Sequence, residues 1–308
     1  MTAATTTTPA AGATAGAAGK HEETRSALQT PAGNPAPARH RKLPFGKVQG
    51  LISLVVFVAV WWGVTAIKLV SPLYLPSPSA VWNAFVRANT CNPVAAGSSR
   101  IVCGVQQYFL WQHLLMSLER IGIGMAFAIV AGVVIGFVLA TVTWLNRLIM
   151  PYINFIRALP PLGYIGLLIV WFGIGDVTKI WLLFLAAFPP IVLATIDGIN
   201  SVNRDRVNSA LSLGANRAQL IAFVMLPSAL PGVLGGIRLA VGFAWTTVVA
   251  AELNNGIPGI GALAYLSGTE MDTPLTIACI LVIGIAALAL DGIIQLIIRV
   301  LTPWVGKE

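Results

Sequence analysis

Long apolar runs set the pattern of this chain. Six of them approach or exceed 20 residues: about 51–70, 121–144, 148–173, 179–199, 231–252 and 275–300. A helix of that length crosses a hydrocarbon core of roughly 30 Å. The third run is interrupted by Pro160-Pro161, which predicts a kink or an interfacial first half. The fourth carries Pro189-Pro190. Short alternating segments of the kind a membrane barrel needs are missing. The pattern predicts an all-α polytopic membrane protein with six transmembrane helices.

Composition sharpens this picture. Of 308 residues, 56% are hydrophobic and 10% charged, with a mean hydropathy of +0.82. A soluble domain carries about 25% charged residues. Residues 1–44, rich in Ala, Thr and Pro, hold almost no bulky apolar side chains and predict a disordered cytoplasmic tail. No apolar stretch follows a basic start there, so the segment does not read as a signal peptide. The net charge of +8 has no basic face interleaved with aromatics, which argues against nucleic acid as a partner. Basic residues instead sort by side. Thirteen lie in the tail, the 2–3 and 4–5 loops and the C-terminus, against five on the other side, with Arg238 inside span five. That asymmetry predicts both termini in the cytoplasm.

Between spans four and five the apolar pattern changes period. Val207, Ala210, Leu211, Gly214, Ala218, Ile221, Val224 and Met225 recur at three- and four-residue steps, while Arg206, Ser209, Ser212 and Arg217 fall elsewhere. This predicts an amphipathic helix at about 203–220. Periodicity alone leaves it resting on the membrane surface or held by another protein. The small residues Ala210, Gly214 and Ala215, with Leu213 among them, permit close approach of a second surface.

Those residues resemble the cytoplasmic signature of ABC importer permeases: EAA, three residues, Gly, nine residues, then I-x-L-P. Asn208, Ser209 and Ala210 hold the EAA positions, Gly214 the glycine, Val224 the isoleucine, and Leu226-Pro227 the end. Asparagine stands where the pattern has glutamate. The likeness runs over 45–305, through LWQHLLMSLERI (110–121), PPL (160–162), WFGIG (171–175), SLGANRAQ (212–219), LPSALP (226–231), VVAAEL (248–253) and LTPW (301–304). Together these resemble the taurine, aliphatic-sulfonate and nitrate permease group, and within it the taurine permeases most.

The resemblance implies the type I importer core. It implies a second permease copy, two cytoplasmic ABC ATPase subunits that bind MgATP, a periplasmic substrate-binding protein, and a place in a bacterial inner membrane. It also implies that Asn208, Ser209, Ala210, Leu213, Gly214, Ala215, Leu226 and Pro227 couple the chain to its ATPase. The transported solute is then a small anion, taurine or another sulfonate, with a nitrate- or bicarbonate-type permease as the alternative. The residues agree on one point. The Gly-Lys pairs read GKH, GKV and GKE, so the chain has no phosphate loop and is not itself an ATP-hydrolysing enzyme.

Other candidates stand with bland readings beside them. Arg238, Trp245, Thr246, Thr247 and Glu252 offer polar groups for a solute path, or helix-end neutralisation and boundary roles. The connection NNGIPGIGALAYLSG (254–268) is too short to span. By the resemblance it is a re-entrant piece at the outer gate, where Gly259 and Gly261 allow close helix approach; otherwise it is an interfacial loop. Cys91 and Cys103 bound an insertion in the outer connection 71–118 and are a disulfide candidate. Cys279 reads as a small core residue. No metal-ligating or nucleophilic constellation emerges from the three histidines. An ion-coupled secondary transporter needs more acidic residues in its spans than this chain offers, and an intramembrane enzyme needs a buried catalytic pair.

Overall fold

The computed structural model describes residues 45–93, 101–254 and 256–305. The predicted tail and the tip of the cysteine-bounded insertion, 94–100, lie outside them. The chain divides at Ser53 into two units; the described part of the first is the beginning of helix α1 (Phe45–Ala66). The second unit, Leu54–Glu308, holds every later element.

Helix α2 (Pro78–Arg87) starts on Ser77, whose hydroxyl accepts from the Ala80 amide, with Pro78 at the first helical position. A two-stranded antiparallel hairpin, β1 (Cys91–Pro93) and β2 (Ile101–Cys103), pairs Cys91 with Cys103 directly across the ladder. Then come α3 (Leu110–Thr141), α4 (Thr143–Ala158), a 3₁₀ turn at Pro161–Tyr164, and α5 (Ile165–Phe172). They are followed by α6 (Asp176–Asn200), α7 (Arg204–Ser212), α8 (Arg217–Leu220), a π turn at Ile221–Met225, α9 (Leu226–Glu252), α10 (Ile260–Thr269) and α11 (Thr273–Leu301).

Among the described residues four helical stretches are long and apolar enough to cross a membrane: α3, α6, α8 through α9, and α11. Counting α4 and α5 as one bent span makes five; the first expected span coincides with a shorter apolar helix, Ile52–Ala66, so the described residues do not confirm a count of six. The third expected span does not run straight: its halves meet at 98°. Leu159 and Pro160 are extended there because a residue before proline is driven out of the helical region. Pro189-Pro190 lies inside α6 without ending it. Phe188 and Pro189 are buried there, in a helix packed among its neighbours, the setting in which a membrane helix tolerates proline. The helix that holds the second expected span begins 11 residues before it, at Leu110, inside the stretch read as the outer connection.

The core lies where α3, α6 and α9 meet, around Met125, Ala128, Leu183, Ile191, Ala244 and Val248. In lipid no hydrophobic effect drives helices together, so close backbone approach does the work. A Cβ at Gly124, Gly132 or Gly136 of α3 would sit 2.7–2.8 Å from Leu183, Ile191 or Thr195 of α6. A smaller core joins α2, α10 and the first turns of α3 and α11, through Ala88, Leu110, Leu263 and Cys279.

Candidate functional site

The two cores meet at a buried polar cluster, at the end of the bundle that carries the hairpin. His113, Ser117 and Arg120 stand four and three residues apart, on one stripe of α3 facing α10. All three are buried. Glu252, the last residue of α9, has no exposed surface. Its Oε1 accepts from Ser117 Oγ at 2.7 Å and from Arg120 Nη1 at 2.6 Å. Its Oε2 accepts from the Gly261 amide at 2.8 Å.

Each nitrogen of the Arg120 guanidinium has an acceptor. Nε donates to Asp176 Oδ1 at 2.8 Å, and Nη2 to the Pro258 carbonyl at 2.8 Å. Asp176 also receives Lys179 Nζ at 3.4 Å. Two cations and two carboxylates thus balance inside the cluster, which is what a charge removed from water requires.

The cluster solves a backbone problem. The first amides of a helix have no partner within it, and α10 starts on Gly259, which has no side chain to cap them. Its neighbours supply the acceptors. The Gly259 amide donates to His113 Nδ1 at 3.1 Å, that of Ile260 to Ser117 Oγ at 3.0 Å, and that of Gly261 to Glu252. With Nδ1 accepting, the imidazole proton sits on Nε2 and donates to the Val105 carbonyl at 3.2 Å. The glycines are needed for closeness: a Cβ at Gly259 would lie 2.6 Å from the Glu252 carboxyl carbon, and one at Gly261 2.7 Å from Val249 Cα.

Glu252, Gly259 and Gly261, singled out from the sequence separately, therefore come together. The other span-five candidates do not join them. Trp245 and Thr247 are buried and Thr246 is exposed, donating to the Phe243 carbonyl at 2.9 Å. Trp245 and Thr247 lie on the face of α9 that is packed in the bundle. Trp245 Nε1 is, among the described residues, the one buried side-chain polar atom without a hydrogen-bond partner. Arg238, 14 residues before Glu252, makes a bidentate pair with Asp291 of α11, at 2.6 and 2.9 Å.

The amphipathic stretch is two helices, not one. Asn203 caps α7 by accepting from the Asp205 amide at 2.7 Å. Gly214, at φ +84°, takes the left-handed conformation that ends it, and its amide donates to the Leu211 carbonyl at 2.9 Å. Two residues later Asn216 and Gln219 form a reciprocal capping box at 2.9 Å each way, which starts α8. The result is an elbow carrying Asn208 to Ala215, with Leu213 88% exposed at its bend. Leu226 and Pro227 are not on the elbow; they open α9 beyond the π turn.

Toward this elbow end of the bundle the end of α4, the bend that follows it, α6 and α9 line an open cavity of about 610 Å³, with Arg157, Tyr164, Asp197 and Phe243 among its walls. At the opposite end Cys91 and Cys103 are joined as a disulfide. Reading the sequence missed His113, Ser117, Arg120, Asp176 and Lys179. The available signal was three polar residues at helical spacing just ahead of an apolar run, in a stretch assigned to a connection.

A family model described as "Binding-protein-dependent transport system inner membrane component" matches residues 128–307. The taurine transport system permease protein TauC of Escherichia coli (strain K12) is 38% identical over 255 residues, covering 83% of this chain and 89% of that protein. The nitrate import permease protein NrtB of Synechococcus elongatus is 30% identical over 262 residues, 82% of this chain and 89% of NrtB. Among solved structures, a chain of the MetNI methionine ABC transporter in an inward-facing conformation shares the fold. The TM-score is 0.55 at 20% identity, over 63% of this chain and 96% of that one. Fold, family match and relatives agree: the chain belongs to the binding-protein-dependent transport system inner membrane components, the permease subunits of ABC importers.

Proposed function

We propose that the chain forms the translocation pathway of an ATP-driven importer for taurine or another small sulfonate. The observation that carries the substrate is the 38% identity with TauC, which extends over 89% of that protein. Two copies pair around the pathway and stand on two cytoplasmic ATPase subunits that bind MgATP. A periplasmic binding protein delivers the solute. Both termini and the α7–α8 elbow lie in the cytoplasm, as the thirteen-to-five split of basic residues favours.

The elbow is the proposed grip of the ATPase. Leu211 and Leu213, both exposed where this amphipathic element bends, offer an apolar contact to a partner, and the capped turn makes the element stiff enough to transmit a push. The cavity bearing Arg157 and Asp197 is the proposed inner stretch of the pathway. ATP binding draws the two elbows together and opens the far end; hydrolysis resets it. The chain itself binds, shapes and moves, and catalyses nothing.

The test is uptake into proteoliposomes holding this chain, its ATPase and its binding protein, with labelled taurine, an alkanesulfonate and nitrate side by side. ATP-dependent uptake dominated by taurine is expected. Nitrate uptake alone, which the likeness to NrtB makes the alternative, would keep the architecture and replace the substrate. Gly214→Arg should prevent co-purification of the ATPase, and unaltered assembly would remove the elbow from the docking surface.

A further inference from the structure

The bulk of α3, α6 and α9 is joined by close packing, whereas the N-terminus of α10, beside its share of the smaller apolar core, is held to α3 and α9 by hydrogen bonds. Three consecutive amides and one carbonyl, from Pro258 to Gly261, are held by His113, Ser117, Arg120 and Glu252. A packed apolar seam can slide only by losing its contacts together. A hydrogen-bonded seam parts bond by bond if water can replace the partners.

Water has one evident way in. His113, Ser117, Arg120, Lys179 and Glu252 are all buried, while the Asp176 side chain is 60% exposed. Asp176 is also the residue that fixes the angle of Arg120, by accepting from Nε and leaving Nη1 and Nη2 aimed at Glu252 and Pro258. Its carboxylate regains hydration cheaply when the bond opens. Glu252 does not, since stripping a partner from a buried charge is expensive. The turn directly before it is built on glycine: Gly173 is at φ +78°, with its amide on the Ile169 carbonyl at 2.8 Å, and a Cβ on Gly173 or Gly175 would meet nothing within 4 Å.

We infer that Asp176 is a positioning residue for transport: through Arg120 it clasps the N-terminus of α10 against α3, and this clasp opens and closes as the importer works. The inference rests on the proposed importer function for its role, and on the geometry alone for the clasp. Asp176→Asn keeps the shape and removes the charge. Asp176→Glu restores the charge and should restore the behaviour.

Two measurements decide it. Hydrogen exchange of the purified chain in detergent reads the amides of 259–261 directly: Asp176→Asn should exchange there about tenfold faster, with the middle of α3 and α6 unchanged and Asp176→Glu near the wild type. Equal protection in Asp176→Asn overturns the clasp, whatever the chain transports. In the complex with its ATPase, hydrolysis without binding protein should rise at least threefold in Asp176→Asn, because the resting shape is held less firmly. An unchanged or lowered basal rate overturns the role in transport. Wild-type complex whose hydrolysis ignores loaded binding protein would instead count against the importer reading.

Discussion

Replacing Glu252 by glutamine tests the central electrostatic claim with almost no change of shape. The carboxylate is fully buried and neutralises an Arg120 side chain that is itself 5% exposed. Glutamine leaves that cation buried with only Asp176, which Lys179 shares. Removing one partner of a buried pair costs about 3–5 kcal/mol. The amide also turns a donor toward the Gly261 N–H, which gave its hydrogen to Oε2. At about 2.1 cal/mol/K of unfolding entropy per residue, each kcal/mol moves the midpoint of a 308-residue chain by roughly 1.5 °C, so the expected loss is about 5–8 °C. Cys279 provides the assay: it is the free cysteine of the chain and is buried, so a thiol-reactive fluorophore labels it as the bundle opens. Glu270→Gln, an exposed position beyond α10, is the control and should melt with the wild type. If Glu252→Gln melts within about 1 °C of the wild type, below the shift expected from even 1 kcal/mol, the cluster does not hold these helices and the reasoning fails.

Neighbouring glycines of α9 should part company. Gly236→Ala drives a methyl into Ala194 of α6 and should lose about 1–3 kcal/mol, whereas Gly235→Ala meets nothing within 4 Å and should hold or gain up to about 1 kcal/mol; the same thermal assay separates them. Asn216→Ala removes the cap of α8 and should destabilise that turn by about 1 kcal/mol, read as faster amide exchange at 217–220 with the bundle unaffected. Reducing Cys91–Cys103 releases a short loop and should cost about 2–3 kcal/mol locally; limited proteolysis between 91 and 103 should become faster, and equal rates would remove any stabilising role.

Much of the architecture was legible because a bilayer admits few solutions. The apolar runs marked α3, α6, α9 and α11, whereas Gly214, read as part of one amphipathic helix, is where α7 ends. The same logic failed where polarity is structural. His113, Ser117 and Arg120 read as loop because hydropathy averages over faces, while these three occupy one stripe of a helix whose other faces are apolar. Glu252 stood out, but its partner lies 132 residues away and no local pattern points there. The two proline pairs are alike in sequence and opposite in outcome, since neighbours pack around Pro189 and leave Pro160 exposed. Asn216 and Gln219 carried a helix-start signal that the apolar period running across them concealed.

The long sequence separation of Arg120 from Glu252 has a consequence for how the chain is made. At about 5–20 residues per second of synthesis, Asp176 emerges after Arg120 by roughly 3–11 s and Glu252 by roughly 7–26 s. During that interval α3 presents a guanidinium to the insertion machinery, at up to about 2.5–3.5 kcal/mol if it reaches mid-membrane. Asp176 is the first counter-charge of the cluster to emerge, and it neutralises the arginine while the second half of the bundle is still on the ribosome. The nascent chain thus carries an intermediate ion pair, and the last helices to enter complete a site whose first half has been waiting for them.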